Sequence, residues 1–265
     1  MSGHIDVLAS AAVAVVVLMI AAWIVSLVRH DAGIADITWG IGFLAVAVVA
    51  ALVGDGDPDR SYLLVALVGI WALRLSGHIW WRSRGAGEDR RYQAMRRRAG
   101  ANFPARSLAT VFGLQGLLMW IVSLPVQLAM TPATPHGVSA LAVVGTGVWG
   151  FGLFFEAVGD AQLARFRADP DNSGEVMDRG LWRLSRHPNY FGDLCIWWGL
   201  FLVAAETTDA RYGIVGPIVM SALLMKVSGV PILERSISER RPGYTEYAAR
   251  TRALFPGPRR GRGDR

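Results

Sequence analysis

The run Val7–Val28, twenty-two residues without a charge, limits this chain more than any other feature. A bilayer core about 30 Å thick is crossed by about 20 apolar residues of helix. Inside lipid every main-chain N–H and C=O must be satisfied within the segment, so a lone run of this kind can only be helical. Met1–Asp6 carries no Lys or Arg, and the run is longer than the about 7 to 15 residues of a signal-peptide core, so it reads as a retained span. Six further apolar segments follow, at 34–53, 61–81, 107–130, 138–158, 190–205 and 212–233. Composition agrees: 52% of the 265 residues are hydrophobic and 18% charged, against about 25% charged in soluble domains. The expected fold is all-α, a seven-span transmembrane helix bundle forming one integral-membrane domain over 1–265.

Charge between the segments sets an orientation. Arg82–Arg106 holds eight Arg, Gly159–Asn189 five and the tail from Glu234 nine, whereas Thr131–Gly137 holds none and Gly54–Arg60 sets Asp55, Asp57 and Asp59 against one Arg. Lys and Arg are retained on the cytoplasmic side, so seven spans with the N-terminus outside and the C-terminus inside put every basic connection on one face. A multi-pass protein of the cytoplasmic membrane is expected, with the bilayer as its partner and no obligate protein partner implied. The net charge of +6 then reflects sidedness, and no nucleic-acid partner is expected. A single cysteine, Cys195, excludes an internal disulfide framework and any multi-cysteine metal site; no metal is expected.

Polar residues within the spans cluster by depth. Asp36, Arg74, His78, Gln115, Glu156, Asp160, Asp193 and Lys226 all fall in the inner halves of their segments. Ionisable groups in hydrocarbon cost roughly 2.5–3.5 kcal/mol each and mark cavities or paired sites. The pattern predicts a polar pocket open to the cytoplasm, where Asp36, Arg74 and Gln115 from three spans converge as candidate catalytic groups on the polar end of an apolar small-molecule substrate. Asp36 is the first candidate partner for Arg74. Gly145-x-Gly147-x-x-Gly150 lies inside an apolar segment with no preceding strand, and reads as small-residue helix packing.

The most specific stretch is Gly180-Leu-Trp-Arg-Leu-Ser-Arg-His-Pro-Asn-Tyr-Phe-Gly-Asp193. It resembles the steroid 5-alpha-reductase superfamily of membrane enzymes, and most closely its bacterial branch called domain of unknown function 1295. Ile34–Gly40, Trp71–Leu75, Gly87-Glu-Asp-Arg-Arg-Tyr92, Gly159–Leu163 with Phe166, and Arg241-Pro-Gly-Tyr-Thr-Glu-Tyr247 with Pro256 resemble that branch as well. The resemblance implies an NADPH-dependent reduction of an activated carbon–carbon double bond, on a lipid-like substrate, with cofactor access from the cytoplasm. It places the cofactor segment at about 156–256. Glu156, Asp160 and Arg167 keep the family's spacing with Glu in place of Asn, and Gly180 leads to Asn189 and Asp193 at the family's intervals. The implied cofactor-binding set is these residues with Arg179, Arg183, Arg186, His187, Tyr190, Tyr244 and Tyr247; Arg supplies planar forks suited to phosphate oxygens.

One departure concerns the substrate. Steroid reductases of this superfamily use a Glu on the second span and a Tyr on the third to polarise the enone oxygen. Here Asp36 starts the second span at its inner end and Tyr62 starts the third at its outer end, about a bilayer thickness apart. Those spans therefore offer no such pair, and Asp36, Arg74, His78 and Tyr190 stand as the candidate acids. Arg186-His-Pro-x-Tyr-x-Gly is also similar to isoprenylcysteine carboxyl methyltransferases, which implies S-adenosylmethionine as the alternative ligand. A non-catalytic lipid-binding or transport protein is the third reading; the lack of internal repeats weighs against it.

Overall fold

The structure is a computed structural model that describes residues 2–227, 230, 234, 237 and 241–259. The end of the last expected span, at 228–229 and 231–233, lies outside the described residues, as do Arg235, Arg240, Arg260, Arg262 and Arg265 of the tail. Every regular element among the described residues is helical. Among the described residues, six helices are long and apolar enough to cross a membrane: Gly3–Arg29, Ile34–Val53, Pro58–Ser83, Arg90–Val122, Ala140–Ala168 and Asp209–Val227. The helix expected as the sixth of seven spans, Pro188–Ala204, has 17 residues. The chain forms two compact units, Met1–Val143 with Leu200–Gly216, and Val144–Gly199 with Pro217–Arg265.

In the first unit α1 (Ser2–Arg29) packs along α2 (Ile34–Val53), and α2 along α3 (Pro58–Ser83). Short turns force sequential helices to lie antiparallel. Phe43, Val46, Ala47 and Ala50 of α2 are buried with Leu64, Val68 and Trp71 of α3; the Phe43 and Trp71 rings meet edge-on at 5.5 Å. Gly40 lets the two backbones approach, since a Cβ there would collide with the Ala72 carbonyl and Ser76 Oγ, and Ser76 Oγ donates to the Ile37 carbonyl at 2.8 Å. The opposite faces stay apolar and exposed, as with Val13, Val16, Val17 and Ile20 on α1 and Ile70 and Leu73 on α3, which is the surface lipid requires.

The fourth hydrophobic segment is not one regular helix. Asp89 caps α4 (Arg90–Ala99) by accepting from Arg91 N, and the helical path continues through α5 (Phe103–Ser107), a π-helical turn at Leu108–Gly113, and α6 (Leu114–Val122). It breaks at Ser123 before α7 (Leu124–Ala129), whose second residue is Pro125. The extra residue of a π turn rotates the succeeding helix about its axis, and Gln115 comes directly after this one.

The second unit is organised by glycines seven residues apart. On α8 (Ala140–Ala168) these are Gly145, Gly152 and Gly159, and on α9 (Pro188–Ala204) Gly192 and Gly199. A Cβ on Gly199 would strike the Gly145 carbonyl and Trp149, one on Gly152 the Gly192 carbonyl, and one on Gly159 would press on Pro188 and Asn189. Gly147 and Gly150 have nothing within 4 Å of a notional Cβ, so small-residue packing holds for this segment but runs through Gly145 and Gly152. The unit also includes α10 (Val215–Ala222) from Pro217, a π turn at Leu223–Val227 carrying the exposed Lys226, and α11 (Tyr244–Arg250).

Candidate functional site

In the second unit the close approach of α8 and α9 decides which side chains meet. Gly159 abuts Asn189, and Asn189 Nδ2 donates to Asp160 Oδ1 at 3.1 Å. Asp160 and, one turn earlier, Glu156 are both buried; Glu156 lies where Gly192 leaves room for its backbone. The long connection between α8 and α9 is pinned onto the same helix. Leu181 N donates to Gln162 Oε1 at 2.9 Å and Trp182 Nε1 to the Gly159 carbonyl at 2.9 Å. Gly180 has φ +58°, and a side chain there would hit the Gln162 amide, so glycine is required.

The Arg186–Tyr190 turn is tied to the tail. Arg186 donates through Nε and NH2 to Glu234 at 2.7 and 3.1 Å, and through NH1 to the carbonyls of Ala248 and Thr251. His187 Nε2 meets Glu234 Oε1 at 3.1 Å, and the Tyr190 ring stacks on His187 at 5.4 Å. Burial pushes the Glu234 carboxyl up, but the His187 and Arg186 contacts outweigh it and hold the group at about 2. Burial and the Glu234 charge push the Tyr244 phenol up to about 12. Tyr247 Oη donates to the Trp182 carbonyl at 2.6 Å, a buried bond that fixes α11 under the connection. Arg186, His187 and Tyr247 are therefore spent on building the turn. Glu234, on which two of them depend, is not among the residues selected from the sequence; its signal was a carboxylate at the head of a basic tail.

Two adjoining clefts of about 360 and 370 Å³ open beside this framework and share Phe166 and Arg179. The first is lined by Gln162, Arg165, Asp169 and Asn172 as well; the second reaches Asp178, Tyr247 and Arg250. Arg250 and Arg259 both bond Asp178 at 2.9 Å. Arg167 and Arg183 are exposed and Asp193 is half-buried. Arg165 went unselected by sequence, although it stands two residues from Arg167 on α8.

In the first unit Asp36 and Gln115 do meet. Tyr92 Oη donates to Asp36 Oδ1 at 2.6 Å, Arg91 NH2 to Oδ2 at 2.9 Å, and Gln115 Nε2 lies 3.3 Å from Oδ1 and 3.4 Å from Tyr92 Oη. Gln115 Oε1 is buried without a hydrogen-bond partner. Arg74 and His78 are half-buried on α3. The phenol beside Asp36 is thus Tyr92, on the helix after the third segment, a residue that a comparison of the second and third spans does not reach. Arg96 grips Glu88 at 2.7 and 3.1 Å, and Glu88 accepts from Ala32 N at 3.0 Å. These bonds hold α4 against the α1–α2 turn and so place Tyr92.

A family model described as Protein of unknown function (DUF1295) matches residues 22–251. No curated protein and no solved structure matches the chain.

Proposed function

The chain belongs to the family of unknown function DUF1295, and on that premise we propose that it is an NADPH-dependent reductase of an activated carbon–carbon double bond in a lipid-like substrate, related to the steroid 5-alpha-reductases. The observation that carries this reading is the Asp160–Asn189 contact on a helix that, within two turns, adds Gln162 and Arg165 to a cleft also holding Arg179. The donor set fits a dinucleotide: guanidinium groups suit phosphate oxygens, and buried carboxylates with an amide suit ribose hydroxyls and a carboxamide. Glu156, Asp160 and Asn189 would hold the nucleoside end carrying the reactive ring, and Arg167 the diphosphate bridge. A bound NADPH supplies the hydride.

The remaining chemistry falls to the chain. Reduction of an enone adds hydride at the β carbon and needs a donor on the oxygen where negative charge develops and a proton from an acid or water at the α carbon. Tyr92 is the donor in this reading, with Asp36 accepting its hydrogen bond at rest and Gln115 steadying both. When a substrate oxygen arrives, the phenolic proton turns to it from Asp36.

The seven-span topology completes the proposal. Seventeen residues reach about 26 Å at 1.5 Å per residue, and spans of about 17 residues occur, so α9 serves as the sixth of seven spans. Arg-rich connections then face the cytoplasm, with the N-terminus outside, in the cytoplasmic membrane. The test is thermal stabilisation of the detergent-purified protein by NADPH and by S-adenosylmethionine, since a ligand that binds the folded state raises its melting temperature. NADPH should stabilise, and Asn189→Ala should weaken its binding by about 1–3 kcal/mol. Stabilisation by S-adenosylmethionine alone would replace this reading with the methyltransferase one.

A further inference from the structure

Two guanidinium groups in the second unit stand out by their shared place on one cleft wall. Arg186, Arg250 and Arg259 all bond carboxylates or main-chain carbonyls. Arg165 and Arg179 have no such side-chain partner among the described residues, yet both line the same cleft of about 360 Å³. The cleft wall is ordered around them. Asn172 Nδ2 donates to the Phe166 carbonyl at 3.2 Å and to Asp169 Oδ2 at 3.1 Å, and Asp169 Oδ1 accepts from Asp171 N at 3.0 Å. The one carboxylate on the wall, Asp169, is thus already occupied by its own turn. Gln162 is likewise fixed by Leu181 N through Oε1, which leaves its Nε2 hydrogens as donors. The wall offers cationic forks and amide hydrogens from a rigid frame, and it is open to solvent.

A phosphate monoester suits such a wall best. It carries about −1.5 to −2 charge near neutral pH, which matches two guanidinium groups, whereas each phosphate of a diphosphate bridge carries only a single charge. We infer that Arg165 and Arg179 form a seat for a phosphate monoester and, resting on the NADPH reading above, that this seat receives the 2′-phosphate and selects NADPH over NADH. Arg179 lies in both clefts, so it can hold this phosphate while the rest of the nucleotide extends along the adjoining depression. Arg165, at the exposed end of α8, is the specificity-determining residue that the spacing of the motif does not reveal.

Binding of NADPH, NADH, 2′,5′-ADP and 5′-ADP to the purified full-length protein tests this by calorimetry, with ligand-free melting temperature as the folding control. Wild type should bind NADPH at least about tenfold more tightly than NADH, and 2′,5′-ADP more tightly than 5′-ADP. Arg165→Ala and Arg179→Ala should each remove about tenfold of the NADPH affinity and leave NADH unchanged, the size of one charged hydrogen bond; both positions are exposed, so folding should survive. Arg165→Lys should retain part of the preference as a point charge. Equal binding of NADPH and NADH by wild type, or equal losses for both in the variants, would overturn the inference while the reductase reading stands. If wild type bound neither dinucleotide nor 2′,5′-ADP, the NADPH reading would fall and take the inference with it.

Discussion

Within the first unit, two carboxylate–arginine clusters stand at opposite ends of α2 and are finished to different degrees. Beyond its C-terminal end, Arg60 and Glu206 pair at 3.3 Å with side chains 0% and 3% exposed. Arg60 also donates to the carbonyls of Ala129, Pro132 and Pro135, Glu206 accepts from Ser139 Oγ, and neighbouring Asp57 accepts from Arg60 N, His136 and Gly137 N. In the first turn of α2, Asp36 and Arg91 pair at 2.9 Å with side chains 27% and 59% exposed, and the Gln115 carbonyl beside them is buried and unbonded. A saturated buried network resists change and gives a ligand nothing to bind. The half-open cluster costs stability as it stands and has bonding capacity left over, which is how groups intended for a ligand differ from groups that lock a fold.

Breaking the closed cluster should have the largest effect. Arg60→Ala strands the Glu206 carboxylate in a buried site, and should lower unfolding stability by about 3–5 kcal/mol, read from denaturant titration in detergent. A loss no greater than that of the corresponding Arg91 variant would erase the contrast between the two clusters. The open cluster should respond in function instead. On the reductase proposal, Tyr92→Phe should cut double-bond reduction by about a hundredfold, a typical contribution of a positioned donor, while shifting the melting temperature little; a large thermal shift with turnover intact would make Tyr92 structural.

Acid should separate a third carboxylate from both. Glu234 is held at about 2 against an ordinary 4.5. The unfolded chain therefore takes up its proton first as pH falls, and the stabilisation, full above about 4.5, is lost between 4.5 and 2. Asp57 is also held below its ordinary value: the Arg60 N–H bond leads, and with the His136 and Gly137 bonds it outweighs burial. Glu234→Gln should be less stable than wild type at neutral pH and lose less across that acid window, measured as melting temperature against pH. Identical acid profiles for the two proteins would show that the Arg186–His187–Glu234 knot contributes no pH-dependent stability. The smallest effect belongs to Arg91→Ala. Its exposed pair with Asp36 should be worth no more than about 1 kcal/mol and should weaken further in high salt.

Much of the fold was legible because lipid makes hydropathy decisive. Val7–Val28 falls within α1, and 34–53 matches α2. The break at Ser123 was not legible in the 107–130 segment, since apolar residues continue through it and only Pro125 hinted at it. In the candidate site, the resemblance selected both Asp160 and Asn189, and they touch. Arg186 carried the right charge for phosphate, but its guanidinium is consumed by Glu234 and two carbonyls. Sequence shows that a donor exists and says nothing of whether it is already engaged.

The sequence by itself determined the all-helical architecture, the apolar segments and the uneven distribution of Arg, because each arises from the solvation of a short stretch of chain. The tertiary structure alone decided the partners: Tyr92 for Asp36 across 56 residues, Glu234 for Arg186 across 48, and Glu206 for Arg60 across 146. Such meetings depend on where one helix crosses another and how far each is rotated, as with the seven-residue glycine spacing that brings α8 to α9 beside Asn189 and the π turn that precedes Gln115. A rotation of one residue, about 100° of helix, would exchange a partner for lipid without changing the hydropathy of the segment.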